Sequence, residues 1–217
     1  MSIYKPSVVI ELEEFYGDLL FATDKYPNLV NHLASLSHRL FEGIQVKHDP
    51  LYVELNNYHK GFIGQSVEEL KSIDVTLDDC HDVISQEYGF GNWNTLSKRT
   101  GLLYNPIFEH AINQLLEGNS QTLKVLLQDN PELVQDRSPY GHGATLLHYA
   151  GSNGVEMWRQ KVPMNLTALI EILLEAGADK NATMNVYGGH FTTLELLITS
   201  AHPYAAGIVD DLKRVLK

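Results

Sequence analysis

One phrase of this 217-residue chain is written more than once, and a repeated phrase restricts the fold more than any other feature of the sequence. Ala144-Thr145-Leu146-Leu147-His148-Tyr149-Ala150-Gly151-Ser152-Asn153-Gly154 reads as a threonine-capped helix closed by glycine. Leu169-Ile170-Glu171-Ile172-Leu173-Leu174-Glu175-Ala176-Gly177-Ala178-Asp179 reads as a second helix with a Gly-Ala exit. Thr192-Thr193-Leu194-Glu195-Leu196-Leu197 starts the phrase again, and a degenerate copy fills Pro106 to Val134, with Leu123-Lys124-Val125-Leu126-Leu127 as its outer helix. A last helix, Ala206 to Leu216, completes a third pair. A single helix pair cannot bury its own apolar face, so tandem pairs must stack, and about three are needed for stability.

Thr145-Leu146-Leu147-His148-Tyr149-Ala150 resembles the T-P-L-H-x-A signature of the ankyrin repeat. The likeness extends to Ile84-Ser85-Gln86-Glu87-Tyr88-Gly89-Phe90-Gly91-Asn92-Trp93, to the run from His142 to Tyr149, to Asn153-Gly154-Val155-Glu156 and to the run from Tyr187 to Leu194. Over about residues 50 to 210 the chain resembles a group of bacterial ankyrin-repeat proteins of mostly unassigned function. The resemblance implies an all-α fold, an ankyrin-type helix-pair solenoid, in a bacterial cytosol, and brings no established catalytic residue. In such a repeat the threonine caps the inner helix, the histidine ties neighbouring loops and the alanine lets inner helices approach closely.

Thr145 and Thr192 lie 47 residues apart, against about 33 in a plain ankyrin repeat. The excess is assigned to an insertion at 155–165, between inner and outer helices, and to a shorter one between Thr183 and Phe191. His202-Pro203-Tyr204 is expected to split the last pair, because proline disfavours helix at the residue before it.

Residues 1–103 read as a helical region capping the solenoid, and residues 104–217 as about three repeats. Helices are expected over Glu11 to Thr23, over Tyr26 to Glu42 with Gly43 as its stop, and from an Asp49 cap through Pro50 to Tyr58. Ser66 should cap a turn to Ser72, Thr76 and Asp79 a helix running to Tyr88 with Gly89 beyond it, and Asn92 a helix from Trp93 to Thr100. Phe62, Tyr88, Phe90 and Trp93 are the residues expected to close the open end of the stack.

Acidic side chains outnumber basic ones, 27 to 16, and the net charge of −11 repels phosphate backbones and anionic lipid. Neither nucleic acid nor a membrane surface is an expected partner. A lone cysteine, Cys80, allows no internal disulfide, and Val8-Val9-Ile10 is too short an apolar run for a signal peptide. A cytoplasmic protein without a cofactor is expected.

Inserted loops on a rigid scaffold are where recognition chemistry concentrates. The expected binding residues are Tyr140, His142, Tyr149, Glu156, Trp158, Arg159, Tyr187, His190 and His202. The leading expectation is a non-enzymatic module that grips a protein partner through its finger loops and inner-helix face, with Trp158 and Arg159 as hot-spot residue types. The alternative is a small-molecule or acid–base catalytic site made where the insertion folds over the inner helices, using Tyr149, Glu156, Arg159, Tyr187, His190 and His202. A metal site would require His142, His190, His202 and Glu156 to converge, since no two lie at helical ligand spacing.

Overall fold

The computed structural model describes residues 2–99 and 101–217, and the protein is mostly helical. Its contacts divide it into two compact units: Ile10–Tyr104, and Met1–Val9 with Asn105–Lys217. The expected boundary near 103 is therefore crossed by the first nine residues, which belong with the C-terminal part. Thr100, the expected end of the helix from Trp93, lies outside the described residues.

In the chain, β1 (Ile3–Tyr4) precedes α1 (Ser7–Tyr16), and a 3-10 segment, Gly17–Lys25, follows with a kink at Ala22. In the smaller unit α2 (Leu29–Gln45), α3 (Pro50–Tyr58), α4 (Val67–Leu70), α5 (Leu77–Glu87) and α6 (Trp93–Ser97) succeed one another. Most of the caps fall where side-chain chemistry calls for them. Asn28 accepts from Asn31 N–H, Asn92 accepts from Thr95 N–H, and Ser66 with Glu69 and Thr76 with Asp79 form reciprocal boxes. Asp49 makes no cap bond: its backbone is already helical, with φ −52° and ψ −44°, and its carboxylate pairs with Lys71 Nζ at 2.9 Å. Gly43 does not stop its helix. It lies inside α2, buried, where a Cβ would run into Leu51 and Phe15; α2 and α3 approach each other at a residue with no side chain. Phe62, Tyr88 and Phe90 are buried in this unit, and the Trp93 ring stacks on His81 at 4.2 Å.

The larger unit carries α7 (Pro106–Leu116) with α8 (Ser120–Asp129), then α9 (Leu146–Tyr149) with α10 (Leu166–Glu175), then α11 (Thr193–Thr199), α12 (Ala201–Ala205) and α13 (Val209–Leu216). The short helix α9 packs on α7, on α10 and on α11, and α13 packs on α10 and α11. Phe108, Ile112, Leu115, Leu146, Leu147, Leu169, Leu173, Leu196, Leu197 and Leu212 belong to one continuous core. The break in the last pair falls at Ser200, whose backbone is extended. Pro203 sits in the first turn of α12, where a missing N–H leaves no intrahelical bond unmade.

Two small antiparallel pairs interrupt the helices. β1 joins β2 (Val162–Pro163), with Ile3 opposite Pro163, and β3 (Thr183–Val186) joins β4 (Gly189–Thr192) as a hairpin. The hairpin's two central residues, Tyr187 and Gly188, have φ of +54° and +75°. Positive φ at both positions is the type I′ geometry that matches strand twist. Among the described residues no helix is long and apolar enough to cross a membrane.

Candidate functional site

The 155–165 segment is packed, not open. Val155, Met157, Trp158 and Val162 are buried, and a short 3-10 turn, Met157–Arg159, forms its middle. It is fixed from several sides. Ser152 Oγ donates to Lys161 O at 3.2 Å, Gln160 Nε2 to Val155 O at 2.8 Å, and Asn165 Nδ2 to Gly118 O at 2.9 Å, while Met164 N–H donates to Ser2 O at 3.1 Å. The loop expected to supply contact residues is an internal wall of the larger unit.

Beneath that wall lies a cluster of buried charge. Arg159, 2% exposed, donates through Nη2 to Glu109 Oε2 and through Nη1 to Glu156 Oε1 at 3.3 Å. Its guanidinium carbon lies 4.5 Å from the Trp158 ring centre, 5.6 Å from that of Tyr149 and 6.0 Å from that of Tyr140. His142 Nδ1 accepts the Ala144 N–H at 3.0 Å. By that network the imidazole proton belongs on Nε2, which faces Glu156 Oε1 at 3.6 Å, just beyond hydrogen-bond length. Glu109 comes from α7, Tyr140 and His142 from the loop before α9, Tyr149 from α9, and the remaining three from the 155–165 segment.

The two carboxyls titrate in opposite directions. Burial pushes both upward. At Glu109 burial outweighs the attraction of Arg159, so its carboxyl is raised above the usual range; at Glu156 the combined pull of Arg159 and His142 wins and holds it below. Burial alone would depress the Arg159 guanidinium, but Glu109 and Glu156 hold it well above its ordinary value. Glu109 Oε1, Glu156 Oε2 and Arg159 Nε are buried without a hydrogen-bond partner.

Of the nine expected residues, the fold gathers Tyr140, His142, Tyr149, Glu156, Trp158 and Arg159 in this one place. All six are buried, so they form no exposed contact face as they stand. Tyr187, His190 and His202 lie elsewhere. Tyr187 and His190 are exposed on the hairpin, and His202 is half-buried in α12, where its own N–H donates to Ser200 Oγ. The six-residue acid–base set is therefore not assembled around one point. Among the described residues no three His, Cys, Asp or Glu side chains are grouped to hold a metal ion.

Glu109 is the member that sequence reasoning missed. Its signal was present: it falls among Phe108, Ile112, Leu115 and Leu116 on the apolar stripe of α7, where a carboxylate needs a buried partner.

His148 directly precedes Tyr149 in α9 and has a separate task. Its Nδ1 accepts the Thr145 N–H at 3.1 Å, and its Nε2 donates to Ala182 O at 3.1 Å, so the ring joins the cap of α9 to the segment before β3. Burial lowers its pKa to about 4, which keeps it neutral in that role. Arg137 Nη1 makes a parallel tie, donating to Gly143 O at 2.7 Å and Thr183 O at 2.8 Å, and the Asn185 N–H donates to His142 O at 2.9 Å. Comparison with protein-family models, with curated proteins and with solved structures returns no match.

Proposed function

We propose that the chain is an ankyrin-type repeat scaffold that binds a protein partner without catalysis, and that the β3–β4 hairpin is its recognition element. The succession α7/α8, α9/α10 and α11/α13, with His148 bridging from one pair toward the next, supports the repeat reading. The observation that carries the binding reading is Tyr187. It is 67% exposed, yet it is held: its hydroxyl donates to Asn153 Oδ1 at 2.5 Å and its ring meets Phe191 edge-on. An exposed aromatic already fixed in one orientation loses little entropy on binding, and tyrosine is among the residues that dominate interface energies. The ties from Arg137, His142 and His148 brace the hairpin on α9 and the loop before it.

The test exploits the turn. Asparagine tolerates positive φ, so Tyr187→Asn removes the ring and spares the hairpin. A photo-crosslinking residue at 187 should trap a partner that the same residue at exposed Val125, on α8, does not. With that partner purified, Tyr187→Asn should weaken binding about 30-fold, the equivalent of a hot spot of about 2 kcal/mol. Unchanged affinity in a variant that unfolds at the wild-type temperature would remove the hairpin from this role.

A further inference from the structure

The surroundings of Arg159 are those of a receptor. Three aromatic rings, Trp158, Tyr149 and Tyr140, flank the guanidinium at 4.5 to 6.0 Å, and two carboxylates approach different corners of its plane, Glu109 at Nη2 and Glu156 at Nη1. Aromatic faces with carboxylates at the edges recognise planar cations. We propose that this enclosure is a guanidinium-binding site whose resident ligand is the chain's own Arg159, and that a guanidinium group from solution takes the same place when the Arg159 side chain is withdrawn.

The fit of the tethered ligand is incomplete, and the shortfall identifies the ligand class. Each carboxylate spends one oxygen on Arg159 and keeps another, Glu109 Oε1 and Glu156 Oε2, buried and unpartnered, while Arg159 Nε has no acceptor. The side chain must reach the cage from a backbone position already fixed by the 3-10 turn, so it meets each carboxylate by one bond instead of the two-bond fork. A free guanidinium has the same plane and charge without that tether, and can turn to satisfy both oxygens of a carboxylate. An ammonium ion carries the charge but is too compact to reach Glu109 and Glu156 from opposite corners. In the intact protein Arg159 competes at the high effective concentration of an attached group, so an outside guanidinium is held off until the inserted segment moves.

The probe is methylguanidinium chloride, with methylammonium chloride and sodium chloride at equal ionic strength, scored by thermal unfolding of wild type and of Arg159→Ala. We expect methylguanidinium at about 10 mM to raise the variant's Tm saturably, by about 3 °C or more, with a smaller rise from methylammonium and none in wild type. An equal response to both organic cations, or none beyond sodium chloride, overturns the proposal. Should Arg159→Ala fail to fold alone, return of a cooperative transition on adding methylguanidinium but not methylammonium supports the site. Absence of any recovery overturns it.

Discussion

Glu54 lies on the buried side of α3 between Leu51 and Leu55, and the Tyr16 hydroxyl is 3.0 Å from both of its carboxyl oxygens. Burial, and then the neighbouring Glu87, raise its pKa well above the ordinary value of 4.5. A raised carboxyl binds its proton more tightly when folded. Its stabilising contribution is therefore complete below about pH 4.5 and is lost as pH climbs through the raised value. Glu54→Gln, which keeps the neutral shape, should flatten that loss: urea unfolding at pH 5 and pH 8 should show the variant gaining on wild type by about 1 kcal/mol or more at the higher pH. A constant difference between the two pH values would show that Glu54 is not the titrating group. Cys80, close enough for Glu54 to add to its shift, has its thiol pushed up to about 12, chiefly by burial. Glu54 and Glu109 teach one lesson about reading the sequence. Each stood on an apolar helical face where its charge had to be neutralised or paired, yet neither partner could be named, because Arg159 lies 50 residues from Glu109 and Tyr16 lies 38 from Glu54.

At the scale of elements, local chemistry was legible and close approach was not. Ser66, Thr76 and Asn92 were readable as caps because a cap is decided within four residues. Gly43 looked like a helix stop because glycine in sequence is the same letter whether it ends a helix or admits a neighbour. Gly43→Ala supplies the test. Helix propensity alone would favour alanine by about 1 kcal/mol, but the new methyl must displace Leu51 and Phe15. We expect net destabilisation of about 1–3 kcal/mol by denaturant unfolding; a gain would mean that α2 and α3 separate easily. The 47-residue spacing between Thr145 and Thr192 singled out the 155–165 segment. The partners that enclose it were not legible, because Glu109 and the Ile3–Tyr4 strand come from far away in the chain.

At the scale of the whole molecule, the first residues belong to the larger unit. Ile3 and Tyr4 pair with Pro163 and Val162, and Ser2 accepts the Met164 N–H. Removing residues 1–5 should therefore loosen a segment about 160 positions away. Faster amide exchange and protease cleavage within 155–165 are the expected readouts, with protection in α5 unchanged; equal protection at 155–165 would show that β2 stands without its partner strand. The net charge of −11 is a property of this scale too: the attraction of so acidic a molecule for basic proteins falls as salt is added.

The pairing of Ile3 with Pro163 also sets an order of events during synthesis. The smaller unit, Ile10–Tyr104, is nested in sequence between the two pieces of the larger, so all of it leaves the ribosome before Pro163 exists. At roughly 5–20 residues per second, it has several seconds to fold while the β1 strand waits for a mate. The larger unit must close a long loop, and its core residues Leu212 and Leu216 are made only after Pro163. Folding of the nested unit brings the ends of that loop nearer than an open chain would hold them. Slowing its folding should therefore delay the larger unit as well, even where none of the larger unit's own residues has been changed.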